Sequence, residues 1–302
     1  MKSSQSRDSI LYGEFAGLQY TDILVRGGVE EEKTRALVRS FISTLMATKD
    51  GNSDLRNLKS IPQYPTRSFF SGILKNYEDM HEIKKKWIPS QDIINLDNKV
   101  KFFKTHHLNC KVDEYEFTNL QNTQGVIHIV RDPRNVITSI KNHYHINDFE
   151  GALKFILNEK NCIGFAKNNK ITENVFPTII SSWKSHYNSW KKVNKNYLLI
   201  KYENLLNNPE TEFKKISSYV SKFLELSFDE TKILNSIKTN SFENLKRQEE
   251  EGKFNEKVAD EMSKKDFFYL GKRNNWRELL NKNYIDEINR EFKAEMKELG
   301  YI

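Results

Sequence analysis

Short apolar runs alternate with amphipathic segments along much of the chain. Four runs have the length and the β-branched or aromatic content of buried strands, at 21–28, 100–106, 125–130 and 196–203. Five segments repeat apolar residues at helical spacing, at 30–51, 133–145, 177–191, 209–223 and 283–299. Residues 52–99 show neither pattern and are predicted to form loops and short helices. Strands that alternate with helices predict an α/β fold with a central parallel sheet flanked by helices.

The domain organisation follows from the absence of an obvious linker. No segment rich in Pro, Gly and Ser divides the pattern, so residues 1–302 are predicted to form a single domain. With 302 residues, of which 37% are hydrophobic, the chain can bury one large core. Residues 1–20 precede the first strand and are a candidate disordered tail.

Composition narrows the ligand class and the compartment. A net charge of +7 and a pI near 9.1 favour an anionic ligand. The Lys-rich runs lack the interleaved aromatics of a single-strand groove, so no specific nucleic-acid partner is expected. Cys110 and Cys162 lack metal-site spacing, which favours a reducing compartment and no metal cofactor. No apolar stretch could span a bilayer and no signal-peptide core opens the chain, which predicts a cytoplasmic protein.

The apolar run 125–130 ends abruptly in Arg-Asp-Pro-Arg. Asp132 is a favoured N-cap and Pro133 a favoured first helical residue, so the segment predicts a strand, a tight turn and a helix. In open α/β sheets, ligands bind at the carboxyl ends of strands, and a helix N-terminus there offers free N–H groups to an anion.

Two interpretations of Arg131 remain open at this point. Arg131 at the strand end and Ser139, eight residues later on the same side of the helix, can hold a phosphate with a guanidinium fork and a hydroxyl. Alternatively, Arg131 pairs with a local carboxylate such as Asp132 or Glu203. The residues alone favour neither.

The segment VIHIVRDPRNVITSIKNHY resembles the 3′-phosphate-binding segment of the cytosolic-type sulfotransferases, which use 3′-phosphoadenosine 5′-phosphosulfate (PAPS) as donor. The resemblance implies a P-loop-like sulfotransferase fold in which Arg131 and Ser139 hold the 3′-phosphate. The run FFKTHH resembles the Lys-Thr-His segment of that family and implies that His106 is the catalytic base, with Lys104 beside it. Because successive strand residues face opposite ways, only one of His106 and His107 can point to the site.

Three further motifs extend the resemblance over residues 100–302. The run LLIKYENLLNNPETEFKKI implies that Tyr202 lies against the adenine, and TNSFENLK implies that Asn240 and Phe242 contact the nucleotide. The run FFYLGKRNNWRE resembles the C-terminal loop that closes on the 3′-phosphate. Its glycine is retained as Gly271, but uncharged residues replace the Arg-Lys pair before it, and Lys272 follows as a substitute cation.

The loop that should cradle the 5′-phosphosulfate departs from the family pattern. The alignment places Glu30, Glu31 and Glu32 where the family has Tyr-Pro-Lys, and carboxylates repel an anionic donor at short range. The alternative is a shifted loop in which the glycines at 27–28 approach the donor and Lys33 supplies the catalytic cation.

The resemblance therefore implies a sulfotransferase that moves a sulfuryl group from PAPS to a hydroxyl of a small molecule or sugar. A second hypothesis is an impaired sulfotransferase-fold protein that binds a nucleotide, ligand or partner without turnover. A third is a basic protein that binds a polyanion, which the ordered motifs after residue 100 oppose. No membrane span is expected, and a homodimer is compatible with the family.

Overall fold

The computed structural model describes residues 22–26, 32–143, 146, 148–164, 176–192, 196–254 and 275–302, with side chains from residue 36 onward except those of 142 and 143. The predicted tail 1–20 lies outside the described residues. Within the described part of the chain, no helix is long and apolar enough to cross a membrane.

All four predicted strands form one parallel sheet. They are β1 (Asp22–Arg26), β2 (Lys101–Thr105), β5 (Thr123–Val130) and β8 (Tyr197–Lys201), in the spatial order β2-β1-β5-β8. Four short strands form two small antiparallel pairs: β3 (Lys111–Val112) with β4 (Tyr115–Glu116), and β6 (Cys162–Ile163) with β7 (Thr178–Ile179).

Thirteen helices are assigned in the described residues. The helices up to the middle of the chain are α1 (Glu32–Ala47), α2 (Met80–Lys85), α3 (Trp87–Ile94), α4 (Pro133–His143), α5 (Phe149–Leu157) and α6 (Trp183–Lys191). Those that follow are α7 (Tyr202–Asn207), α8 (Pro209–Leu224), α9 (Glu230–Thr239), α10 (Phe242–Glu250), α11 (Trp276–Leu279), α12 (Lys282–Glu291) and α13 (Lys293–Glu298). Residues 52–99 form loops and short helices, including 3₁₀ turns at Leu55–Ser60, Arg67–Phe70 and Asn95–Asp97.

Two apolar layers sandwich the sheet because strand residues alternate between its faces. Ile127 and Ile129 of β5 pack with α1, α8 and α10 on one face. Val126 of β5 and Phe103 of β2 pack on the other face with α2, α3 and α6. Helices α4, α5, α12 and α13 share a third cluster, which contains Ile137, Ile288 and Phe292. The α/β class with helices on both faces of a parallel sheet is confirmed.

Several predicted elements have different bounds in the structure; the helix predicted over 30–51, for example, ends at Ala47. The helix predicted over 177–191 begins only at Trp183, because Thr178 and Ile179 pair with β6 as a strand. The strand predicted over 196–203 ends at Lys201, since Tyr202 already begins α7. The helix predicted over 283–299 is interrupted at Phe292, which lies between α12 and α13.

Candidate functional site

The carboxyl ends of three strands meet at one edge of the sheet. In the register, Arg26 at the end of β1 lies opposite Thr105 of β2 and His128 of β5. The chain passes from β1 to β2 on one side and then returns to β5 on the other side of β1. This reversal of strand order opens a crevice between the helices that leave β1 and β5, which is where open α/β sheets bind their ligands.

Arg131 lies at this edge directly after β5. Arg131 is only 5% exposed, and its Nη1 donates a hydrogen bond to Ser139 Oγ at 2.9 Å. Its Cζ stands 4.4 Å from the centre of the Tyr202 ring. Its Nε is buried without a hydrogen-bond partner, and no carboxylate of the described residues forms an ion pair with it. A buried guanidinium in this state is an incomplete site that an anion would complete.

The predicted alternative, in which Arg131 pairs with Asp132 or Glu203, is not found because both carboxylates have other partners. Asp132 Oδ2 accepts a hydrogen bond from Arg134 Nη2 at 2.7 Å, and its Oδ1 accepts from the Arg134 backbone N–H at 2.9 Å. The two oxygens of Glu203 accept from the backbone N–H of Asp132 at 3.0 Å and from Tyr301 Oη at 2.9 Å.

Arg134 is the structural arginine of the motif. Besides Asp132, its Nη2 donates to the carbonyl of Tyr301 at 3.0 Å, and its Cζ lies 4.0 Å from the centre of the Trp276 ring. It is as buried as Arg131. The two arginines at the end of β5 therefore have separate tasks: Arg134 joins the start of α4 to the C-terminal segment, and Arg131 stays available to a ligand.

Tyr202 forms one wall beside Arg131. It is the first residue of α7, immediately after β8, and only 7% of its surface is exposed. Burial raises the pKa of its phenol above the ordinary value, and the nearby Arg131 charge partly opposes that shift. The Tyr202 hydroxyl therefore stays neutral, and its ring presents an apolar surface at the edge of the sheet.

The two adjacent histidines after β2 have different environments. The His107 ring stacks on Phe117 at 4.0 Å with an angle of 3°, and Trp87 contacts it edge-on at 5.0 Å. His107 is thus part of the aromatic core on the face of Phe103. His106 is 6% exposed and stands directly beyond the carboxyl end of β2. The stacking of His107 on Phe117 is therefore compatible with the prediction that His106 is the base, which stays a prediction.

Lys104 and His186 surround the position of His106. Lys104 belongs to β2, is 5% exposed and lies two residues before His106. His186 of α6 contacts the carbonyl oxygen of His106 through Nε2 at 3.2 Å, so its Nε2 must carry the proton. This contact fixes the backbone that presents the His106 ring, and the sequence interpretation gave His186 no such role.

Asn240 and Phe242 lie on the α1 side of the sheet. Asn240 is fully buried, and its Nδ2 donates to Ser236 O at 2.8 Å and to Thr44 Oγ1 at 3.3 Å. Its Oδ1 is buried without a partner. Phe242 is partly buried against the α1 cluster. The Asn240 amide is thus bound to α9 and α1, and its predicted contact with a nucleotide remains a prediction.

The predicted residues of the donor loop and of the C-terminal loop have no described side chains: positions 27–31 lie outside the described residues, and Glu32 is described by its backbone alone. Gly271 and Lys272 lie outside the described residues. Lys33 is placed by its backbone as the second residue of α1, and five undescribed residues separate α1 from the end of β1. Trp276, just after the loop of Gly271, is anchored to α4 because its N–H donates to Asn135 Oδ1 at 2.9 Å.

Arg131, Ser139 and Tyr202 are thus joined by direct contacts, and His106 and Lys104 stand at the same edge two strands away. Two strand spacings correspond to about 10 Å. The sequence interpretation gave no such role to the residues that hold this arrangement, namely Arg134, His186, Glu203 and Tyr301. Arg134 had a signal as the second arginine of the turn, and Glu203 was considered only as a partner of Arg131. Within the described residues, no group of three His, Cys, Asp or Glu side chains could hold a metal ion.

Comparison with known proteins shows which fold and family this chain shares. A solved structure of the mouse sulfotransferase SULT7A1 complexed with PAP has 15% identity and a TM-score of 0.51, and the match covers 92% of this chain and 85% of that one. Retinol dehydratase in a complex with retinol and PAP has 16% identity and a TM-score of 0.56, with 93% and 82% covered. These structures share the fold with this chain.

Of the two sequence comparisons, only the one with family models gives a match. No curated protein gives a significant match to the sequence. A family model described as a sulfotransferase domain matches residues 63–300 and includes Arg131, Ser139, His106 and Tyr202. Because this match covers well over half of the chain, the protein belongs to the sulfotransferase family.

Proposed function

We propose that this protein transfers a sulfuryl group from PAPS to a hydroxyl of a small molecule or sugar. The observation that carries the proposal is Arg131, a buried guanidinium with no described carboxylate partner, in contact with Ser139 and Tyr202. Leaving a buried cation unpaired is costly, so this position favours an anionic group. The residues fit a phosphate of the donor nucleotide.

The nucleotide would be held at the ends of β5 and β8. Arg131 and Ser139 bind the 3′-phosphate, and the Tyr202 ring lies against the adenine. Asn240 and Phe242 are the further predicted contacts of the nucleotide, and Gly271 and Lys272 those of its 3′-phosphate. The neighbours of this fold that were solved with PAP support the choice of nucleotide.

The bound PAPS supplies an activated sulfuryl group and leaves as PAP with the electron pair of the broken S–O bond. His106 removes the proton of the acceptor hydroxyl as the new S–O bond forms. Lys104 provides a buried positive charge next to His106, which stabilises the charge that develops on the leaving oxygen. Lys33, in the first turn of α1, is the second cation proposed for this task.

The same proposal includes the class of acceptor, the cellular compartment and the absence of a metal cofactor. Retinol dehydratase was solved with retinol and with androsterone, which supports a small-molecule acceptor. We infer a cytoplasmic protein that uses no metal. Whether the chain forms a homodimer is a separate prediction, and light scattering after size-exclusion chromatography tests it.

Calorimetric titration tests the nucleotide site without requiring turnover. PAP should bind at least tenfold more tightly than adenosine 5′-phosphate, because only PAP carries the 3′-phosphate that Arg131 and Ser139 would hold. Transfer of ³⁵S from PAPS to a hydroxyl acceptor then tests the activity. Equal affinity for the two nucleotides would remove the assignment of Arg131 and Ser139.

The acidic run Glu30–Glu32 favours a second candidate, an impaired sulfotransferase that binds PAP without turnover. This run precedes the residues that the family model matches. In that case wild type should bind PAPS no better than PAP, and Glu32→Lys should improve donor binding by restoring a cation. With a shifted loop, Glu32→Lys should bring no gain and Lys33→Ala should abolish turnover.

A further inference from the structure

A short segment lies beside β2, on the side opposite β1, and runs parallel to it. The backbone N–H of Tyr64 donates to the carbonyl of Lys104 at 2.8 Å, and the N–H of Lys104 donates to the carbonyl of Pro62 at 2.8 Å. The resulting bridge between Gln63 and Lys104 is parallel. At Gln63 the chain therefore runs in the direction of β2, on the side of β2 opposite β1 and β5.

This geometry indicates on which side of His106 the donor lies and on which side the acceptor lies. The proposed nucleotide contacts lie on β5 and β8, and β1 and β2 separate them from the segment that follows Gln63. Because the base must lie between donor and acceptor, the acceptor approaches from the side of this segment. The next charged side chain along it is that of Arg67.

Arg67 is a partly buried arginine without a counter-charge. Its Cζ lies 5.1 Å from the centre of the Tyr77 ring, and its Nε is buried without a hydrogen-bond partner. Among the described residues, no Asp or Glu forms an ion pair with it. Arg56, in contrast, is exposed and pairs with Asp54. The exposed Arg56 thus has a carboxylate partner, whereas the half-buried Arg67 has none among the described residues.

Aromatic residues surround the guanidinium. Tyr77, under Arg67, stacks on Phe176 at 6.0 Å, and Phe70 contacts Phe176 edge-on at 4.9 Å. Phe69 in turn contacts Phe103 of β2 at 5.4 Å. Such surroundings lower the local dielectric constant, so a charge-assisted hydrogen bond formed here is stronger than one in water.

We propose that Arg67 binds an anionic group of the acceptor, so that the substrate class is a hydroxyl compound with a second, negatively charged group. A carboxylate, a phosphate or a sulfate offers the planar or tripodal oxygens that a guanidinium fork recognises. This inference rests on the proposed function, because it places the acceptor opposite the donor across His106. It adds a binding residue that the family resemblance did not supply.

The test compares related ligands with and without a negatively charged group. Binding to the PAP-saturated protein and to the free protein is measured by calorimetry for glucose, glucuronate, glucose 6-phosphate and glucose 6-sulfate. A second pair is 4-hydroxyphenylacetate and its amide. At least one charged ligand should bind tenfold or more tightly than its neutral counterpart. The member that binds best identifies the anion as carboxylate, phosphate or sulfate.

Variants assign the preference to Arg67. Arg67→Met, which keeps an apolar side chain over Tyr77, should remove the preference for the charged ligand and leave PAP affinity unchanged. Arg67→Lys should retain part of it, and Arg56→Met, a matched arginine on the surface, should retain all of it.

Several results would overturn the proposal: equal binding of charged and neutral ligands, no binding of any of them, or a charge preference that persists in Arg67→Met. If the wild-type protein does not bind PAP, the proposed function itself is refuted. Failure of the proposed function and failure of the Arg67 proposal are therefore distinguishable.

Discussion

Replacing Arg131 and Arg134 by methionine, one at a time, should separate ligand binding from stability. Both arginines are 5% exposed and stand three residues apart, but only Arg134 is paired with a carboxylate. Arg131→Met should therefore weaken PAP binding with little change in the free energy of unfolding. Arg134→Met should lower the free energy of unfolding, because it leaves the buried Asp132 without its counter-charge.

The expected magnitudes follow from the contacts of each guanidinium. A charge-assisted hydrogen bond from Arg131 to phosphate contributes about 1.5–3 kcal/mol, which corresponds to about 10- to 150-fold in affinity. The Arg131→Met change also removes the bond to Ser139 and the contact over Tyr202, together about 1–2 kcal/mol. Relief of the desolvation cost of an unpaired charge offsets that loss, so stability should change by less than about 1 kcal/mol.

Arg134→Met has no such offset. Breaking a buried ion pair by removing one partner costs about 3–5 kcal/mol. The Arg134 backbone N–H still bonds Asp132 Oδ1 in the variant, so we expect a value near 3 kcal/mol.

Urea denaturation and PAP calorimetry on the same three proteins provide the measurement. The Arg131 variant should lose affinity at nearly constant stability, and the Arg134 variant should lose stability. The reasoning is refuted if Arg131→Met binds PAP like wild type, or if Arg131→Met is destabilised as much as Arg134→Met.

Three further predictions concern the base, the donor loop and the alkaline limit of stability. His106→Gln should lower turnover about 10²- to 10⁴-fold at unchanged PAP affinity, whereas His107→Gln should mainly lower the urea midpoint, because His107 stacks on Phe117; the reverse assignment of effects would contradict the choice of base. Lys33→Ala should reduce PAPS turnover at least tenfold while PAP still binds. If the variant turns over PAPS as fast as the wild type, Lys33 is not the cation. Burial raises the pKa of the Cys162 thiol from 9.0 to about 11, so the folded protein keeps a proton that the unfolded chain loses, and the free energy of unfolding should fall between pH 9 and 11; urea denaturation of Cys162→Ala should show a smaller fall.

The strand-turn-helix at the end of β5 could be predicted from the sequence because its causes are local. An apolar run of β-branched residues, an N-cap at Asp132 and a proline at the first helical position specify these elements through short-range interactions. The spacing of Arg131 and Ser139 on one side of a helix is equally local, and the structure joins the two side chains at 2.9 Å.

Helix and strand ends were predicted less well where a distant partner determines them. Thr178 and Ile179 fit a helical pattern, yet they pair with β6 as a strand. Phe292 continues the helical periodicity, yet the helix breaks there, and its fully buried ring packs in the cluster of α4 and α5. Burial against another element overrides local propensity at such positions.

The sequence by itself determined the parallel α/β architecture, the turn that ends β5 and the set of residues from which the site could be chosen. Only the tertiary structure decided which of two neighbouring arginines pairs with Asp132, since contacts with Trp276 and the Tyr301 carbonyl hold Arg134 in place. It also placed the His107 ring on Phe117 in the aromatic core, and the role of His106 as the base stays a prediction. Propensity and spacing act over a few residues, whereas the pairing of a buried charge depends on which groups the whole chain brings within hydrogen-bond distance.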